Sequence, residues 1–321
     1  MTGGAIEISS EALTARFLPM GAILRDLRLA GHDAPMVLGL ADEAHYPEHS
    51  NYMGATAGRV ANRIGGARFV LDGVTHRTDP NFRGRHTLHG GSRGTGKRAW
   101  DVVEAGAGTV TFGIDLADGE MGFPGAMRAT ARFSVAGATL RIDYEATCDA
   151  PTVCNLAHHT YWNLDGTDDL RHHVLTVDAD RYLPVDDDLI PTGVAPVDGT
   201  RFDFRGGRRL GGRDDDRPLL DHNLCLSDGR VALREVGTLR SERSGVTMTI
   251  ATTEPGLQVY DGAKLATPVP GLDGRTYRAR AGTALEPQGW PDAPNRPDFP
   301  SVALRPGDTY RQTTTFAFVK G

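Results

Sequence analysis

The sequence predicts an all-β protein, a large antiparallel β-sandwich. Three observations predict it: apolar residues recur at every second position, turn residues bound each such run, and long stretches with apolar residues at helical spacing are absent. Forty glycines and nineteen prolines supply the punctuation that many short strands need. At 321 residues the chain can bury a large core, and no segment has the composition of an interdomain linker, so one domain spanning residues 1–321 is expected.

Taken in order, Ala67, Phe69 and Leu71 alternate, and the run resumes after an Asp72-Gly73 turn. Leu140, Ile142 and Tyr144 mark a second strand, and Val246, Met248 and Ile250 a third. Thr313, Thr315, Ala317 and Val319 give the alternating set of the closing strand. Residues 285–295, LEPQGWPDAPN, break the pattern. Their three prolines fix φ and remove backbone donors, which predicts a held loop rather than a helix or a central strand. Glu286, wedged between Leu285 and Pro287 with Trp290 nearby, is then a partly desolvated carboxylate whose raised pKa would suit a base. Residues 205–217, RGGRRLGGRDDDR, read as a mobile surface loop whose charges offset one another.

A net charge of −6 provides no general attraction to nucleic acid or to an anionic membrane, and neither is expected as a partner. Lysine occurs only at positions 97, 264 and 320; the other basic residues are arginine. No secretory leader is recognised, and no apolar run approaches the roughly 18 residues of a membrane helix. The three cysteines, Cys148, Cys154 and Cys225, include no CxxC pair and read as free buried thiols, as in a reducing, cytoplasmic protein.

Gly91 to Arg98, GSRGTGKR, has the glycine and lysine spacing of a phosphate-binding loop, but Arg98 stands where that motif needs Ser or Thr. Its glycines are expected to shape a loop beside Leu88 and His89. The pairs His158-His159 and His172-His173 raise a metal site. Adjacent residues of a strand point to opposite faces, so each pair would place one ring in a given site, and metal binding is the less favoured reading. Asp221 and Glu286 supply two carboxylates far apart in sequence, the pair a glycosidase would need across a scissile bond. Arg63 is either an ion-pair arginine or a substrate clamp.

Seven segments together carry more information than any one. They are GRVANRI (58–64), LHGG (88–91), NLAHHTYWNL (155–164), IPTG (190–193), DHN (221–223), QVY (258–260) and LEPQGWPDAPN (285–295). In this order they resemble the aldose 1-epimerase (galactose mutarotase) family, over a span from near residue 50 to the C-terminal strand. The resemblance implies a large antiparallel β-sandwich with an open sugar-binding cleft, no cofactor, and a monosaccharide as the small-molecule partner of a monomer or homodimer. It implies Glu286 as the catalytic base and His159 as the catalytic acid. His89, Asn62, Arg63 and Asp221 match residues that bind the sugar, and Gln258 a position lining the same cleft. Two departures border the proposed acid: His158 stands where relatives often carry Asn, and Trp162 where many carry Phe.

The implied chemistry suits these residue types. Opening a cyclic hemiacetal removes the C1 hydroxyl proton and delivers one to the ring oxygen, work that a carboxylate and an imidazolium do together. Four expectations follow: Glu286 has a raised pKa, His159 stays protonated, activity follows a bell-shaped pH profile, and the carboxylate faces His159 across a space one pyranose ring wide. A glycosidase using Asp221 and Glu286, or a sugar-binding protein without chemistry, are the alternatives.

Overall fold

The computed structural model describes residues 4–212 and 217–321. Two antiparallel sheets dominate it. The larger has nine strands, in the order Arg208–Gly211, Leu170–Val177, Arg234–Ser241, Val246–Thr252, Tyr310–Lys320, Thr139–Cys148, Met127–Ala136, Thr109–Leu116 and Asp101–Gly106. The smaller has six: Tyr161–Trp162, Thr283–Gln288, Gly256–Tyr260, Asp221–Cys225, Arg181–Tyr182 and Ala195–Pro196. Leu239, Met248, Ile250 and Phe316 of the first sheet pack with Trp162, Leu224, Leu257, Val259 and Leu285 of the second in one buried cluster. The Trp162 and Phe316 rings lie 4.6 Å apart across that interface. This is the sandwich the period-two pattern predicts. A three-stranded sheet, Ile6–Ser9, Leu13–Leu18 and Ile23–Leu29, adds to it through Phe17, whose ring is 4.6 Å from Phe133. Among the described residues no helix is long and apolar enough to cross a membrane, and all three cysteines are free.

Strand alternation decides where the polar residues go. In the six-stranded sheet Leu224, Leu257, Val259 and Leu285 face the core, so Asp221, Gln258, Tyr260 and Glu286 fall on the other face. A register slip of one residue would exchange the two sets, and the apolar layer forbids it.

Three expectations change. Residues 283–288 form a strand inside the six-stranded sheet, not a loop, with Glu286 opposite Gln258 and Pro287 opposite Leu257. The proline is tolerated because it is the penultimate residue of the strand, beyond Thr283 and Ala284, which pair with the neighbour on the other side. The Trp290 indole donates to the Pro255 carbonyl and its ring packs edge-on against Phe299. In the closing strand the inward set is Tyr310, Gln312, Thr314, Phe316 and Phe318, one residue out of phase with the expected one, and Val319 is 67% exposed. Threonine's β-branched side chain suits either face of a strand, so the threonine-rich alternation did not reveal its own phase. Within residues 205–217, Arg208–Gly211 is the edge strand of the large sheet, and Arg205 is held by Asp180, Asp198 and Asp203 at 2.6–2.9 Å. That part is ordered by pairing and ion pairs rather than mobile; residues 213–216 of the predicted loop lie outside the described residues.

Candidate active site

Glu286 and His159 meet on the outer face of the small sheet. Thr283–Gln288 presents Glu286, and the short strand Ala157–His159, paired with Ala55–Ala57, presents His159. The Glu286 Oε1 to His159 Nε2 distance is 3.8 Å, and the two side chains are 2% and 7% exposed. Glu286 Oε2 has no hydrogen-bond partner among the described residues. Burial, reinforced by the negative charge of Asp221 and opposed by Arg63, pushes the Glu286 carboxyl up to about 8. Burial pushes the His159 imidazolium down to about 4. These directions run against the expected protonated His159, because burial favours the neutral imidazole and the protonated carboxyl. The two groups are also side by side rather than separated by a ring width. Adjacency is what the chemistry needs, because the C1 hydroxyl and the ring oxygen are bonded to one carbon.

His158 points the other way, as alternation requires. Its Nδ1 is 2.7 Å from Thr160 Oγ1 and its ring lies 5.3 Å from Phe133 in the core. His173 is likewise internal, its Nε2 accepting from the Leu164 N–H at 2.8 Å. Among the described residues no group of three or more His, Cys, Asp or Glu is placed to hold a metal ion.

A second cluster abuts the pair. Arg63 donates from Nη2 to Asp221 Oδ2 at 3.0 Å and from Nη1 to Asn62 Oδ1 at 3.2 Å, with its guanidinium 4.8 Å from the centre of the Phe82 ring. Asn62 takes the left-handed conformation (φ 59°), which lets its side chain also accept the Arg63 N–H at 2.9 Å. The Asn62 N–H donates to His89 Nδ1 at 3.2 Å, which leaves His89 Nε2 to carry the ring hydrogen as a donor. Burial and the neighbouring His159 hold His89 well below the usual histidine range, so it is neutral. Its ring is edge-on to His159 at 5.2 Å.

Glu286, His159, His89, Asn62, Arg63 and Asp221 all line one cavity of about 370 Å³, within the range of small-molecule sites. Gln258 does not. It stands behind the wall, where its Nε2 donates to Asp221 Oδ1 at 2.6 Å. With Arg63 on the other oxygen, both oxygens of Asp221 are engaged.

The family model described as aldose 1-epimerase matches residues 4–317. The chain is 38% identical to the galactose mutarotases of Rattus norvegicus and Homo sapiens, over 98% of this chain and 95% of each relative. It is 34% identical to the aldose 1-epimerase of Escherichia coli, over 97% and 93%. This chain belongs to the aldose 1-epimerase family. The solved structure of an aldose epimerase homologue from C. elegans superposes with a TM-score of 0.92 at 36% identity, covering 99% of both chains. That of a galactose 1-epimerase from Lactobacillus acidophilus gives 0.84 at 27% identity, covering 98% of this chain and 94% of the other.

For an epimerase-family cavity, five aromatic and two basic residues of the lining were missed by sequence reasoning: Tyr46, Tyr52, Phe82, Tyr161, Tyr260, Lys97 and Lys264. Tyr52 lies 4.6 Å from His89 and 6.0 Å from His159, and the Lys97 ammonium is 5.0 Å from its ring centre. Tyr161 lies 5.1 Å from His159 and 6.0 Å from Tyr260. One signal for the lysines was present: in a chain whose cations are almost all arginine, two of the three lysines flank this cavity. The loop of residues 91–98 does lie beside His89, as expected, with Gly90 and Gly91 at φ 80° and 102°.

Proposed function

We propose that this chain is an aldose 1-epimerase that interconverts the α and β anomers of a free aldose, a galactose- or glucose-type hexose or a pentose, with Glu286 and His159 as its acid–base pair. The observation that carries the reading is a buried carboxyl and a buried imidazole 3.8 Å apart, facing a cavity of monosaccharide scale, with one carboxyl oxygen unpartnered. The proton that the pair shares is the one the reaction moves. Hydrogen bonds from sugar hydroxyls to Glu286 favour its charged form, which shifts the proton to His159. Glu286 then takes the C1 hydroxyl proton, His159 gives its proton to the ring oxygen, the C1–O bond to the ring breaks, and C1 becomes an aldehyde. Rotation about C1–C2 and reclosure with the roles exchanged deliver the other anomer, and the pair ends with the proton count it began with.

Arg63, Asn62 and Asp221 bind sugar hydroxyls in this reading, and His89 donates from Nε2 to an oxygen near the ring oxygen. Gln258 acts through Asp221. The Asp221 carboxylate, tied on both oxygens, is a poor candidate for the second carboxyl of a glycosidase, which must reach a glycosyl carbon or a water. The test is polarimetry of freshly dissolved α-D-glucose, α-D-galactose and pentoses with wild type and Glu286→Gln. The variant is expected to relax the rotation at least about 10²-fold more slowly than wild type. Equal relaxation would remove Glu286 from its role, and sugar released from a disaccharide by the wild type would favour the glycosidase.

A further inference from the structure

Two polar side chains stand where the core should be apolar. Tyr310 and Gln312, 5% and 3% exposed, belong to the inward set of the closing strand, followed by Thr314, Phe316 and Phe318. A glutamine between two packed sheets must have partners for its amide or it costs stability, and those of Gln312 lead to the active site. Its Nε2 donates across the core to the Pro287 carbonyl at 2.9 Å, the residue next to Glu286. Its Oε1 accepts from the Tyr310 hydroxyl at 2.5 Å. The same hydroxyl accepts from the Leu156 N–H at 3.0 Å, three residues before His159.

One hydrogen-bonded chain thus joins the backbone beside the carboxyl to the backbone beside the imidazole. A second tie runs parallel to it: Asn155, 1% exposed, accepts from the Gly289 N–H at 2.7 Å and donates to the Gly289 carbonyl at 3.2 Å. The Tyr310 ring is itself held, with the Arg230 guanidinium 4.3 Å from its centre and that guanidinium paired with the fully buried Glu254 at 2.7 Å. The strands bearing His159 and Glu286 are far apart in sequence; the pairing of Tyr161 with Ala284 ties them on one side, and the 3.8 Å between the two side chains needs a second support.

We propose that Tyr310 and Gln312 form a brace that fixes the spacing of His159 and Glu286, and so are positioning residues for the epimerase reaction. Replacing one member leaves a buried partner unpaired, the Pro287 carbonyl or the Leu156 N–H, and so costs stability as well. A brace is told from a merely structural pair by kcat and the pH limbs. The inference rests on the assignment of His159 and Glu286 as the acid–base pair.

The experiment compares Gln312→Met, Tyr310→Phe and the control Thr314→Val with wild type, with Glu286→Gln in parallel. Thr314 is inward on the same strand, but its hydroxyl bonds Thr252 of its own sheet at 3.0 Å. Gln312→Met is expected to lower kcat about 10- to 100-fold, the scale of a misplacement near 1 Å, with KM within about twofold. Its pH profile is expected to narrow, because a looser pair admits water and both groups move back toward their ordinary values. Tyr310→Phe is expected to do the same, and it carries the test if Gln312→Met fails to fold. Thr314→Val is expected to alter thermal stability with kcat unchanged. Wild-type kcat and pH limbs in both brace variants, or an equal loss in Thr314→Val, would overturn the brace. Undiminished activity in Glu286→Gln would instead overturn the acid–base assignment beneath it.

Discussion

Glu286→Gln is expected to slow the reaction at least about 10²-fold and, at alkaline pH, to make the protein more stable. The fold holds the Glu286 carboxyl at about 8, against an ordinary value of 4.5. The folded protein thus binds this proton more tightly than the unfolded chain. The stability that it contributes is fully present below pH 4.5 and is lost as pH rises from there through 8. At about 1.4 kcal/mol per pH unit, the ceiling on that loss is about 5 kcal/mol, complete by pH 9. Glutamine fills the same space and has no proton to lose. Urea unfolding of wild type and Glu286→Gln at pH 5, 7 and 9 measures the difference. The variant's advantage is expected to grow by roughly 2–5 kcal/mol between pH 5 and pH 9. A stability difference that is the same at all three pH values would refute the reasoning, because it would mean that the carboxyl ionises as easily in the fold as in water.

The same shifts govern activity. The pair carries one proton between about pH 4, where His159 takes up a second, and about pH 8, where Glu286 loses its own. The profile of kcat/KM is expected to be bell-shaped with limbs near those values, which belong to the pair rather than to either residue; a rate unchanged from pH 3 to pH 10 would contradict it. Arg63→Lys keeps the charge but loses the planar fork that reaches both Asn62 and Asp221. A rise in KM of about 10- to 100-fold is expected, with a smaller change in kcat, since a charge-assisted hydrogen bond contributes about 1.5–3 kcal/mol. Gly90 has φ 80°, and a Cβ there would lie 1.9 Å from the Gly58 carbonyl oxygen. Gly90→Ala is expected to cost more than about 2 kcal/mol in thermal or urea unfolding, and to lower activity by displacing its neighbour His89.

Much of the fold was legible because a strand writes its faces into alternate positions. Leu140, Ile142 and Tyr144 are all buried, as are Val246, Met248 and Ile250. The phase failed at the closing strand, where threonines occupy both faces, and the prolines around Glu286 concealed a strand in which Pro287 is the penultimate residue. The site residues were reached through seven ordered segments that resemble one family, not through local chemistry. Seen singly, His159 is one of two adjacent histidines, and Asp221 a carboxylate with no visible partner.

What the amino-acid sequence determined alone was the all-β class and the punctuation of its strands, and its resemblance to one family grouped Glu286, His159, His89, Arg63, Asn62 and Asp221 as one set. Those are properties of neighbouring residues and of order along the chain. The tertiary structure decided the rest: that Glu286 and His159 are 3.8 Å apart rather than a ring width, that burial raises the carboxyl and lowers the imidazolium, and that Gln258 stands behind Asp221. The first two depend on contacts between segments more than a hundred residues apart in the chain, and the third on the pairing of neighbouring strands within one sheet. Distance sets the coupling of two ionisable groups and burial sets their pKa values, and neither exists until the two layers close.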